Sequence, residues 1–193
     1  MNGNRASQEK LQKIAENNLK YVIWMLNETA ILSDKPKSAK NNAYIESFVI
    51  HARILIEFLY GKPDKRDTIL AANYVENWGD NYTNKGKPLE ESKFLENIKI
   101  KAHKMAAHLT EAGSDCPDRE WNRIEIRDEI NKIILGFLEA VPDDSTISKK
   151  TKGEIKEIIR ATNGPKGPAS DINAAEINIT QLTGITGATG PSR

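Results

Sequence analysis

The sequence predicts an all-α fold: an up-and-down helical bundle of four long helices plus a short inserted helix, with a flexible C-terminal tail. Three observations carry this expectation. Apolar residues recur at three- and four-residue steps over long stretches. Proline and most glycines fall between those stretches and cut the chain into pieces. After residue 161 no such periodicity survives.

The first helical pattern covers residues 7–32, with Leu11, Ile14, Ala15, Val22, Met25 and Leu26 at helical spacing. Pro36 marks its end, because the residue before a proline avoids helical geometry. A short basic connection follows, with Lys35, Lys37 and Lys40 against Asp34.

The second helix is the best defined. Ile45, Phe48, Ala52, Leu55 and Leu59 step by three and four in alternation, which is a heptad seam. Val49 and Ile56 widen the seam on one side; Tyr44, His51 and Phe58 widen it on another. A helix so apolar around its circumference belongs at the centre of a bundle. Gly61 is expected to form a left-handed cap, and Pro63 prevents continuation.

A shorter helix is predicted over residues 67–78, capped by Asp67 and burying Ile69, Leu70, Tyr74, Val75 and Trp78. The fourth pattern covers 89–111, with a second seam at Leu95, Ile98, Ala102, Met105 and Leu109. Two seams of equal length predict that these two long helices pack nearly antiparallel. The fifth pattern covers 118–141, charged in its first half and apolar in its second through Ile130, Ile133, Ile134, Phe137, Leu138 and Val141. The bundle is thus assigned to residues 1–145. Residues 146–193 read as a short amphipathic helix, through Ile155, Ile158 and Ile159, and a largely disordered Gly/Thr/Pro tail.

Composition excludes several functions. The 193 residues carry 28 Lys+Arg and 27 Asp+Glu, a net charge of +1, so no overall field holds nucleic acid or an anionic membrane. Local bias is modest: the connection at 34–42 is basic, and 113–142 holds seven acidic against four basic residues. A lone cysteine, Cys116, excludes a disulfide framework and a four-thiolate zinc site. No apolar run reaches the roughly 18–20 residues of a membrane helix, and the polar N-terminus is no signal peptide, so a cytoplasmic location without membrane association is expected. Neither a Gly-x4-Gly-Lys-Ser/Thr loop nor a Gly-x-Gly-x-x-Gly loop is present, and no cofactor or metal is expected.

The side chains that can carry chemistry are few. His103 and His108 lie five apart and diverge by roughly 140° on a helix, so they make no metal pair. His108 sits beside the seam residue Leu109 and near Lys101 and Lys104. If the second and fourth helices pack together, His51 comes within reach of His108. A bundle histidine is ordinarily a hydrogen-bonded packing residue, and that reading stays open for each. Arg53 and Glu57 lie one turn apart on the most apolar helix: either they pair or snorkel outward, or Arg53 faces a cleft as a permanent charge for phosphate.

Several of these residues fall into a recognisable order. Phe48, His51, Ala52, Arg53, Leu55 and Phe58 form a Phe-x-x-His-Ala-Arg-x-Leu-x-x-Phe pattern. Asp67 to Trp78, then His103, Lys104, Ala107, His108, Leu109 and Thr110, then Trp121, follow it. Over about residues 40–142 this resembles a group of small helical-bundle proteins similar to the HEPN superfamily. The resemblance implies an intracellular module that works as a homodimer, related to toxin–antitoxin or defence systems. Many members cut RNA, using Arg-x4–6-His on one helix. In such a site the histidine handles protons and the arginine stabilises the phosphate. Here no arginine precedes a histidine at that spacing; Lys101-x6-His108 is the nearest substitute, and it lacks the bidentate fork.

Three functional expectations follow. The first is binding or dimerisation through a site containing His51, Arg53 and Glu57. The second is a metal-independent RNA endonuclease using His108 with Lys101, Lys104 or Arg53. The third is a structural adaptor whose tail recruits a protein partner. Gly184, Gly187 and Gly190 in that tail resemble bacterial collagen-like triplets, but three triplets are too few to hold a triple helix.

Overall fold

The computed structural model describes residues 7–33, 38–61, 68–76, 78, 93–106, 121–142 and 146–163, apart from the side chains at 104–106 and 162–163. The chain divides into two units, Met1–Asn163 and Gly164–Arg193. Among the described residues the fold is all-α, an up-and-down bundle without strands. No helix of the described residues is long and apolar enough to cross a membrane.

The first helix opens at Ser7, whose hydroxyl accepts from the Lys10 backbone N–H. It runs as α1 (Gln8–Lys13), a π-helical segment (Ile14–Leu19) and α2 (Lys20–Leu32). The π-helical segment is absent from the sequence-based expectation. It keeps the buried stripe in line. Leu11, Ala15, Leu19 and Ile23 are all buried, at three successive steps of four. On a regular α-helix each step of four overshoots a full turn by about 40°, so the stripe drifts off the core. A wider turn cancels the drift, and the Lys20 N–H accordingly donates to the Ala15 carbonyl, five residues back.

Helix α3 (Ala39–Tyr60) starts at Ser38, whose hydroxyl accepts from the Asn41 N–H. It packs against α2, α4 (Lys93–Ala106) and α5 (Arg123–Ala140), which confirms its central place. Phe48, Val49, Ala52, Leu55, Ile56, Phe58 and Leu59 are buried. Gly61 ends the helix differently from expectation: its φ of −62° and ψ of 148° are extended, not left-handed. Glycine is required there for space. A Cβ would fall on the Glu57 carbonyl oxygen and 2.8 Å from Leu70 Cδ2.

The helix predicted over 67–78 is reduced to one 3₁₀ turn, Ala71–Asn73. Asp67 lies outside the described residues. Leu70 is extended, and its N–H donates to the Asn73 side-chain oxygen, which gives the backbone an alternative to a helical ladder. The apolar residues still reach the core, because tertiary bonds place them. Tyr74 Oη donates to the Leu11 carbonyl at 2.9 Å, and Trp78 Nε1 donates to the Leu59 carbonyl at 2.8 Å. Phe137 of α5 takes edge-on contacts from Phe58, Tyr74 and Trp78 with centroids 5.2–5.9 Å away.

Helix α4 presents Leu95 and Ala102 to the core and packs on α3, in line with the paired seams. Helix α5 begins later than residue 118: Asn122 is its N-cap, and Trp121 precedes it as a buried side chain. Helix α6 (Lys149–Asn163) packs mainly on α2, with Ile155 and Ile159 buried. Lys20 and Glu154 join the two helices across 2.7 Å. Lys152, 8% exposed, donates from Nζ to the Val141 carbonyl just past the end of α5 at 2.6 Å. An ammonium there also opposes the negative end of that helix.

Candidate functional site

The outer faces of α2 and α3 lie side by side and carry exposed apolar surface beside a titratable group. Tyr21 is 44% exposed, Ile50 47% and Ile54 44%. Helical geometry explains the α3 part: Ile50 and Ile54 are one turn apart, on the side away from Ala52, Leu55 and Leu59.

His51 sits within this face, half-buried. Its Nδ1 is 2.6 Å from the Ser47 carbonyl oxygen. A carbonyl only accepts, so in neutral His51 Nδ1 carries the hydrogen and Nε2 holds the lone pair. The Ser47 hydroxyl approaches the same Nδ1 at 3.4 Å. The Tyr21 ring meets the imidazole nearly edge-on, with centroids 5.9 Å apart, and Trp24 lies against Tyr21 at 6.1 Å. The result is a small aromatic patch with one nitrogen of fixed character.

The structure separates the residues that the sequence grouped for binding. His51 and Arg53 are two positions apart, roughly 200° around the helix, so they point to different sides. Arg53 is half-buried and makes no hydrogen bond or ion pair among the described residues. Glu57, one turn further on, is half-buried and has contacts of its own, but none with Arg53.

Of His108, Lys104 and Lys101, expected to act on RNA, Lys101 alone has a described side chain. It is half-buried on α4, and its ammonium stands 4.7 Å from the centroid of the Trp121 ring. This cation–π contact explains the position of a lysine beside a buried tryptophan. His108 and the Lys104 side chain lie outside the described residues, as does Cys116. His103 is exposed.

Along α5, Glu125, Asp128 and Glu129, with Lys132 as the one described cation, line an open groove of about 700 Å³ against Phe94 of α4. Carboxylates on that side repel a phosphate backbone. Among the described residues no group of three or more His, Cys, Asp or Glu converges to hold a metal ion.

No protein-family model, curated protein or solved structure matches this chain.

Proposed function

We propose that this chain is a HEPN-like binding module that pairs with a second copy through the α2–α3 face, and that it is not an efficient nuclease. The observation that supports this is the exposed apolar surface of Tyr21 and Ile50 around His51. Contiguous apolar surface on a soluble bundle marks an interaction site. The divergence of His51 from Arg53 speaks against a joint catalytic role within one chain. The fixed Nδ1–H of His51 leaves Nε2 as a directional acceptor for a partner's donor.

Sedimentation velocity over a hundredfold concentration range tests the pairing. The full chain is expected as a dimer, and the Tyr21→Glu/Ile50→Glu variant as a monomer with unchanged helical circular dichroism. A monomer at every concentration, or a variant that still pairs, overturns it. Cleavage of RNA in chelator, lost in His108→Ala, establishes the nuclease reading instead.

A further inference from the structure

Beside the π-helical segment lies a cleft of about 300 Å³, bounded by Ile14, Asn18 and Val22 on one side and Ile54, Glu57 and Phe58 of α3 on the other. Thr68, just before the 3₁₀ turn, also lines it. The volume is at the lower limit of small-ligand pockets.

Two independent features meet there. The first is the slack turn itself. The buried stripe Leu11, Ala15, Leu19, Ile23, Leu26, Ala30 steps by four, four, four, three, four. Removing one residue between Ala15 and Leu19 gives four, three, four, three, four, a regular seam. The core therefore has no need of the extra residue, and π-helical turns are found mostly at functional positions. The second feature is the chemistry of the lining. Among the described residues the lining is apolar except for Asn18, Thr68 and Glu57, and of these Glu57 carries the charge. A carboxylate offers about four acceptor positions, so Glu57 can take a ligand's N–H groups alongside its present contacts.

We propose that this cleft binds a small amphipathic amine, its apolar body between Val22, Ile54 and Phe58 and its ammonium at Glu57. An anionic ligand of the same shape meets the carboxylate and is rejected. The inference does not depend on self-association.

The probe is n-octylamine, protonated at pH 7, with n-octanoate and 1-octanol as controls. Binding is followed by amide chemical shifts of the full chain and of the Tyr21→Glu/Ile50→Glu variant. Octylammonium is expected to shift the amides of residues 14–22 and 54–58 saturably in both proteins, and octanoate to leave them unmoved. Octanol is expected to bind at least tenfold more weakly. Glu57→Gln should weaken octylammonium at least tenfold and bring it level with octanol. Deletion of Asn17, an exposed residue of the π-helical segment, should abolish the shifts while retaining helical circular dichroism. Absence of saturable shifts, an equal response to octanoate or octanol, or unchanged affinity in Glu57→Gln overturns the proposal.

Discussion

Asn27 of α2 and Asn131 of α5 exchange two side-chain hydrogen bonds inside the core, at 3.2 and 2.8 Å, each amide donating to the other's oxygen. Asn27 also donates to the Ile23 carbonyl at 2.8 Å. A reciprocal amide pair among aliphatic side chains fixes one axial register of α2 on α5, because any slip strands two polar groups. Asn27→Ala should therefore cost about 1–3 kcal/mol in urea unfolding, since it leaves the Asn131 amide buried and unsatisfied. The double variant Asn27→Leu/Asn131→Leu should recover most of that loss. A double variant less stable than the single one contradicts this account.

Tyr74 gives the bundle an alkaline limit. Burial pushes its phenol well above the ordinary value of 10.0. The folded state thus keeps a proton that the unfolded chain releases, and stability from this group is lost as pH rises past about 10. Tyr74→Phe removes the bond to the Leu11 carbonyl and should cost about 1 kcal/mol at pH 7. The gap to the parent protein should narrow between pH 10 and 11.5, as read by denaturant midpoints at each pH.

Gly61 separates two explanations of a helix end. Under a left-handed cap Asn substitutes with small loss, because it tolerates that region. With the observed extended backbone and the crowding by Glu57 and Leu70, both Gly61→Ala and Gly61→Asn should lower the thermal midpoint, each costing about 1–3 kcal/mol of stability through overpacking strain. Calorimetry on the two variants checks this; tolerance of Asn alone points back to the left-handed cap.

The π-helical segment predicts opposite outcomes for one residue removed and one residue added. Deleting Asn17 converts the stripe to a regular seam, so the thermal midpoint should hold or rise. Inserting Ala after Asn17 turns the second step into five and swings Leu19 and Ile23 off the core. Its stability should fall by at least the loss expected for one buried leucine, about 2–5 kcal/mol, with a lower thermal midpoint.

These features were unequally legible in the amino-acid sequence. The α3 and α4 seams were readable because their apolar residues follow a fixed period, and that period is what packs Phe48, Leu55 and Leu95. The segment around Tyr74 misled because its apolar spacing suits a helix, whereas the Asn73 cap and the indole and phenol bonds to distant carbonyls decide its shape. The π-helical turn left a signal in the three steps of four from Leu11 to Ile23, but it emerges only once Leu19 is counted among the buried positions. At the α2–α3 face His51 was identifiable as a candidate residue. Its hydrogen-bonded nitrogen and its Tyr21 neighbour were not, since they depend on rotamer and on how two helices meet.

The ion pair between Lys20 and Glu154 links positions 134 apart in the chain. Among the described residues, the first helical stretch in chain order is thus covered by the last. During synthesis, at about 5–20 residues per second, the part of α2 that α6 covers waits many seconds for α6 to leave the ribosome. A nascent chain halted before residue 155 still lacks the clasp. A circular permutant that joins residue 163 to residue 7 and opens between 33 and 38 would make the two halves of that clasp neighbours in time as well as in space.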